Sequence, residues 1–191
     1  VQHRKGRKIN GVYQEGKALY LEQESGLIRI LPQTDRIIRV SYTENGGFAS
    51  EQGAQLADLS LDGGSFWSWK EEEKEIRVDT GYLRMRIARG TGSIFYERAD
   101  GSLLLAERDR ESKCVEAFDS YRMVVNENTQ IEEIQTPDGI KRRIREADRV
   151  FDKKLYHTRL HLDFAPEEHL YGLGQAEEGV WNLRHTTQYL H

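Results

Sequence analysis

Acidic residues recur in pairs and short runs along this chain: Glu71–Glu73, Glu107 with Asp109, Glu132 with Glu133, Glu167 with Glu168, and Glu177 with Glu178. Two carboxylates held roughly 5–5.5 Å apart can open a glycosidic bond with retention, one as nucleophile and one as acid/base. That work needs one carboxyl desolvated enough to raise its pKa. No motif around these runs supplies such burial, so they read as solvated faces and no catalytic residue is assigned. His157 and His161 are four apart. On a helix that spacing can share a metal ion. On the strand expected here the two share a face but stand too far apart to chelate one ion. No metal site and no cofactor are expected. Gly90-Thr91-Gly92-Ser93 lacks the Gly-Lys-Ser/Thr of a phosphate loop and falls between strands, so it reads as a turn. Cys114 is the only cysteine, in the stretch Lys-Cys-Val-Glu-Ala-Phe. It reads as a packed small residue rather than a nucleophile. No internal disulfide can form, which favours a reducing compartment.

Stacking and hydrogen-bonding groups concentrate elsewhere. Phe66, Trp67 and Trp69 form one aromatic cluster, which can be a sugar-stacking platform but more often packs a core or an edge. The stretch Glu167–His191 holds Tyr171-Gly172-Leu173-Gly174, where glycines permit a sharp turn or a close backbone approach. Trp181, Asn182, Arg184 and Tyr189 follow on an expected loop. Sugar recognition uses such residues, and so does docking onto a neighbouring domain.

The elements that position these groups read as short strands. Lys17–Glu24 suits a strand, Leu27–Leu31 follows after Gly26, and Pro32 ends that run. In Asp35–Thr43, Ile38, Val40 and Tyr42 alternate with Arg39, Ser41 and Thr43, which predicts one face in a core and one in water. Glu75–Asp79 and Tyr82–Arg89 read as a hairpin across Asp79-Thr80-Gly81. Ser93–Arg98 and Ser102–Ala106 read as another across Asp100-Gly101. Glu107–Glu111 reads as a charged connection, and Lys113–Val125 as further strand. Asn126–Thr129 and Pro137-Asp138-Gly139 are loop signals. Ser50–Leu61 is ambiguous. Ile140, Ile144, Ala147 and Phe151 fit a helical face, yet the surrounding hairpins favour irregular structure or strand. Leu155–Phe164 reads as a strand with Leu160, Leu162 and Phe164 on one face, ended by Pro166. Val1–Gly16 is a frayed entry or a first strand. Many short strands, glycine turns and no sustained helical pattern predict one all-β domain over residues 1–191, an antiparallel β-sandwich whose sheets each have a polar and an apolar face.

A length of 191 residues suits a single core. The formal net charge of −4 argues against general nucleic-acid binding, which needs Lys and Arg to neutralise phosphates. The basic runs Arg4–Lys8 and Lys141–Arg145 read as solvated surface. No apolar run approaches the roughly 20 residues of a membrane span. No leader peptide stands at the start, although residue 1 is Val. A cytoplasmic location is the expectation.

The strand followed by Pro166-Glu167-Glu168-His169-Leu170-Tyr171-Gly172-Leu173-Gly174-Gln175, then Asn182-Leu183-Arg184 and Tyr189-Leu190, resembles the end of the N-terminal β-sandwich of family 31 glycoside hydrolases. These are α-glucosidases, α-xylosidases and relatives. Their phrase runs Glu-x-[Phe/Leu/Tyr]-Tyr-Gly-Leu-Gly-[Glu/Gln], then Asn-Leu-Arg-Gly. Arg36–Val40, Asp79–Ile87 and Asp100-Gly101 resemble earlier strands of the same domain. Gln175 stands where many members have Glu, and His185 stands where Gly is usual, which leaves the substrate open. The resemblance implies a galactose-mutarotase-like sandwich. It also implies a catalytic barrel of the same polypeptide as partner and an oligosaccharide or other α-glycoside as substrate of the full enzyme. The family's nucleophile and acid/base are Asp residues on that barrel, which needs about 250 residues of its own. The chain alone is therefore expected to be inactive, with Gln175, Trp181, Asn182 and Arg184 as candidates for substrate-rim or interdomain contact. The expectation includes an apolar patch exposed near Leu170–Leu190. Two rivals remain: a free carbohydrate-binding module that stacks sugars on Trp67, Trp69 or Trp181, and a small enzyme of the sugar-mutarotase type.

Overall fold

The alternation of apolar and charged side chains becomes strand pairing throughout. The computed structural model describes residues 7–44, 46–48, 67–110, 112–172 and 179–187. Among them the chain forms β1 (Ile9–Glu15), β2 (Ala18–Gln23), β3 (Gly26–Pro32), β4 (Ile38–Thr43), β5 (Ser68–Glu71), β6 (Glu75–Asp79), β7 (Leu83–Ala88), β8 (Ile94–Arg98), β9 (Leu103–Glu107), β10 (Lys113–Val124), β11 (Gln130–Thr136), β12 (Gly139–Glu146), β13 (Asp148–Leu160) and β14 (Leu162–Asp163), and no helix. Every pairing is antiparallel. The ambiguous stretch Ser50–Leu61, Phe66, Gln175 and Tyr189 lie outside the described residues. The chain divides into two compact units, residues 1–110 with 161–191, and residues 111–160.

The first unit is an all-β sandwich. One sheet runs β1-β2-β3-β4 and the other β14-β9-β8-β7-β6-β5. Ile9, Leu19, Leu21, Ile28 and Ile30 from the first pack with Ile76, Val78, Met85, Ile87 and Ile94 from the second to make the core. Burying an aliphatic side chain of this size contributes about 1.5–3 kcal/mol, which is what holds the sheets face to face. Ile38, Val40 and Tyr42 lean on the same core, as their period of two predicts. The intervening residues turn outward. Arg84 and Arg86 of β7 reach Asp79 at 2.9 Å and Glu97 at 2.6 Å, while Met85 and Ile87 are fully buried.

Turn chemistry fixes the registers. Between β6 and β7 the Gly81 N–H donates to Asp79 Oδ1, and Gly81 takes a φ of 83° that favours glycine. The buried Thr80 hydroxyl donates to the Asp35 carbonyl at 2.6 Å, tying this turn to the segment before β4. Gly26 is required for space as well as for its φ of 114°: a Cβ there would lie 2.6 Å from the Thr43 carbonyl oxygen. Gly90–Ser93 is a turn, with the Gly92 N–H donating to Ala88 O at 2.7 Å. Pro32 remains in its strand as the last residue, opposite Ile38.

The second unit consists of two ribbons. β10 pairs with β13, with a bulge between Ser120 and Tyr121, and β11 pairs with β12. Ile140, Ile144 and Phe151 thus lie on strands. Two expectations are corrected here. The stretch Leu155–Phe164 is not one strand with an apolar face in a core. It breaks at His161, where β13, paired with β10, gives way to β14, paired with β9, and both Leu160 and Phe164 are exposed. Nor does every sheet have a buried face. Among the described residues no apolar side chain between 113 and 160 is buried, because a two-stranded ribbon has no second sheet against which to close.

Candidate functional site: the carboxyl-terminal clasp

After β14 the chain makes a tight turn at Ala165–Glu168. The Glu168 N–H donates to Ala165 O, and the Glu168 carboxylate accepts the Ala165 N–H, each at 3.1 Å. The chain then returns on itself: the Leu183 N–H donates to Leu170 O at 2.8 Å, and the Leu183 side chain is buried. Asn182 sits at the crossing. Its Oδ1 accepts the Leu170 N–H at 3.1 Å and the Arg184 N–H at 3.2 Å, and its Nδ2 lies 2.8 Å from His169 Nδ1. Arg184 Nη1 donates to three backbone carbonyls, those of Ala165 (3.0 Å), Pro166 (2.5 Å) and Glu168 (2.9 Å). A guanidinium carries several donors in a fixed fork and suits this convergence of carbonyls.

Asn182 and Arg184 therefore clasp the chain's own backbone. Trp181, between them and the exposed Val180, does the opposite and leaves 88% of its surface in water. Tyr171, on the outgoing segment of the clasp, is exposed as well. Such an indole offers its face to a sugar ring or to another protein surface. His185 has a φ of 66°, in the left-handed region where a side chain crowds the backbone. Thr186 fastens that turn, donating from both N–H and hydroxyl to Leu183 O. The preference for glycine at this position in the resembling pattern thus has a local cause.

The other sequence candidates are placed as follows. Trp67 and Trp69 are partly buried against the sandwich core, and Trp69 Nε1 donates to Gln14 Oε1 at 2.9 Å, so both serve packing. His157 stacks on Phe118 with ring centres 4.2 Å apart, and His161 Nδ1 lies 3.1 Å from Arg108 Nη1. Cys114 is half-buried. Glu71 pairs with Arg89, and Glu133 with Arg142 at 3.0 Å. A cleft of about 520 Å³ over the outer face of the six-stranded sheet is lined by Lys70, Arg77, Arg84, Arg86, Asp79 and Glu97 among others. Its arginines are engaged by carboxylates, Arg77 with Glu75 at 2.5 Å and Arg84 and Arg86 as above, so it is a ladder of ion pairs.

One carboxylate of the acidic runs is not on the solvated face that the sequence reading predicts. Glu107 ends β9 and is buried, with its Oε2 accepting the Ile94 N–H at 3.0 Å. Burial and the nearby Glu107 charge push the Tyr96 phenol far above its ordinary pKa. Beside it the buried Ser93 hydroxyl makes 2.8 Å contacts to the Arg108 and Asp109 carbonyls. Glu107 is a structural fastening of the β8–β9 edge, and nothing in its neighbours' sequence marks it as such.

The clasp thus provides a fixed backbone and a projecting aromatic, with Glu168 occupied by its own turn. It is suited to contact. Residues 27–190 match the family model of the glycosyl hydrolase 31 N-terminal galactose mutarotase-like domain. No curated protein and no solved structure matches the chain significantly.

Proposed function

The chain belongs to the glycosyl hydrolase 31 N-terminal galactose mutarotase-like domain family, and from this membership we propose that it is the non-catalytic sandwich of an α-glycosidase of α-glucosidase or α-xylosidase type. In this reading it packs on a catalytic barrel of the same polypeptide and helps to shape the substrate site. The barrel supplies both carboxylates of a retaining hydrolysis that passes through a covalent glycosyl intermediate. The observation that carries the reading is the division of labour in the clasp. Asn182 and Arg184 spend their hydrogen bonds on holding the loop, and Trp181 is left projecting for contact.

The test is hydrolysis of a panel of aryl α-glycosides by this chain and by a polypeptide carried on to the natural stop codon. Turnover is expected from the longer protein only. Turnover by the 191-residue chain would overturn the proposal. In the longer protein Trp181→Ala is expected to raise KM several-fold with little change in stability.

The exposed indole also favours a second reading, a carbohydrate-binding module. It predicts millimolar or tighter oligosaccharide binding by the chain itself, abolished by Trp181→Ala and left intact by Trp67→Phe. Absence of binding in titration calorimetry would remove it.

A further inference from the structure

Asn182 joins the two segments of the clasp, and its hydrogen bonds fix more than its own position. Its Oδ1 faces two backbone donors, the Leu170 N–H at 3.1 Å and the Arg184 N–H at 3.2 Å. A backbone N–H cannot accept, so the oxygen of the amide must lie on that side and its nitrogen on the other. That nitrogen can only donate, and it lies 2.8 Å from His169 Nδ1. Nδ1 must therefore accept and carry no hydrogen, which leaves the one proton of a neutral imidazole on Nε2.

We propose that His169 is a proton-sensitive latch of the clasp, closed while Nδ1 is bare and opened by a second proton on the ring. A charged imidazolium donates from both nitrogens. With the amide as it stands, the Nδ1–H would point at the Asn182 Nδ2–H. With the amide turned over, Oδ1 could accept from Nδ1, but Nδ2–H would then point at the Leu170 and Arg184 N–H groups. Neither orientation satisfies the joint, so protonation parts it. Histidine is the side chain whose charge changes between about pH 5 and 8. An open clasp lets the ring take the proton that the closed one refuses, so closure is favoured as pH rises and lost as pH falls.

The neighbouring charges leave this role to His169. Among the described residues the other titratable or charged groups of the two segments are Glu167, Glu168 and Tyr171 on the outgoing one, and Arg184 and His185 on the returning one. The Glu168 carboxylate accepts the Ala165 N–H at 3.1 Å, and Arg184 Nη1 is spread over three backbone carbonyls. Asp163 of β14, just before the clasp, pairs with Arg108 at 3.6 Å. The Tyr171 ring centre lies 6.1 Å from that of His169. Of these groups His185 alone belongs to the same titrating type, and it is exposed. Trp181 directly precedes Asn182, and Tyr171 follows His169 by two, so an open latch frees the segment of one exposed aromatic from that of the other. The latch works in this way whether or not the chain supports a catalytic barrel.

The experiment is nuclear magnetic resonance of the isotope-labelled 191-residue chain between about pH 8 and about pH 5, the range of histidine titration. Long-range proton–nitrogen spectra of the imidazoles report which ring nitrogen carries hydrogen, and His169 is expected in its Nε2–H form at the alkaline end. Protection of the Leu170 and Arg184 amides against exchange, corrected for the intrinsic rate, is expected to fall roughly five- to tenfold as His169 titrates, which is the loss of about one hydrogen bond. The amides of β7 and β8 should keep theirs. His169→Asn sets an oxygen near the place of Nδ1 and does not titrate, so it should keep the protection at both ends of the range. His169→Phe has no acceptor and should lack it at both. His185→Asn should leave the fall unchanged. An Nδ1–H form of His169 at the alkaline end, protection that ignores its titration or survives in His169→Phe, a fall that persists in His169→Asn, or one that vanishes in His185→Asn would overturn the proposal.

Discussion

Strands β7 and β13 both combine apolar with charged residues, and both pair antiparallel along their length. Their side chains end in opposite environments. Met85 and Ile87 of β7 are fully buried beneath the opposing sheet, whereas Phe151 of β13 is 52% exposed. Strand pairing is local and follows from period and turn residues. Burial is not local, because it requires a second layer at the right distance. The sandwich has that layer within its own unit and the ribbons do not, so the two regions should respond differently to the same truncation.

The largest expected effect tests this contrast. Ile28→Ala removes buried methyl and methylene groups between the sheets and should lower unfolding stability by about 3 kcal/mol in urea melts. Ile140→Ala acts at a site 63% exposed and should change stability of the monomer by no more than about 0.5 kcal/mol. Equal losses at the two positions would break the comparison, because they would require the ribbon to have a core of its own.

Arg184→Ala comes next and asks whether hydrogen bonds can replace burial as a fastening. It leaves three backbone carbonyls without their shared donor, and a lost charge-assisted set of this kind should cost about 2 kcal/mol. The loss should be local: amide exchange should accelerate across 165–172 and remain slow in β7 and β8. Uniform acceleration would mean that the clasp is part of the sandwich's cooperative unit.

These contrasts mark how far the sequence could be read. The hairpins across Asp79-Thr80-Gly81 and Asp100-Gly101 were legible because turn residues and alternation act within a few positions. The face of Ile140 and Ile144 was not, since a spacing of four suits a helical face and also one side of a strand. The break at His161 was invisible because Leu160, Leu162 and Phe164 keep their alternation through a change of partner strand. In the clasp the motif was legible and its geometry was not. Asn182 and Arg184 read as contact residues, but their backbone partners across the clasp, the Leu170 N–H for Asn182 and carbonyls such as that of Ala165 for Arg184, lie 12–19 positions away in the chain and only folding brings them together.

A smaller effect concerns the outer face of the sandwich. Burial pushes the Glu75 carboxyl up, but hydrogen bonds from Arg77 and Arg86, with their charges, outweigh it and hold the group below its ordinary value of 4.5. A carboxylate with a depressed folded pKa adds stability above its unfolded pKa and loses it as pH falls through the folded value. Stability should therefore decline below about pH 4.5, and Glu75→Gln should flatten that acid limb in melts run from pH 6 to pH 3. An unchanged slope would show that this ladder adds nothing beyond solvated charge.

The smallest effect has the opposite sign and isolates the backbone. His185 holds a φ of 66° without the freedom of glycine. An L-residue in this region gives up about 1 kcal/mol relative to glycine, while glycine loses more entropy on folding, so the two terms partly cancel. His185→Gly should therefore stabilise the clasp by roughly 0.5 kcal/mol, seen as slower amide exchange at Leu183 and Thr186 with no change in the β-sandwich. A destabilised clasp would show that the imidazole, and not the backbone, determines the residue at this turn.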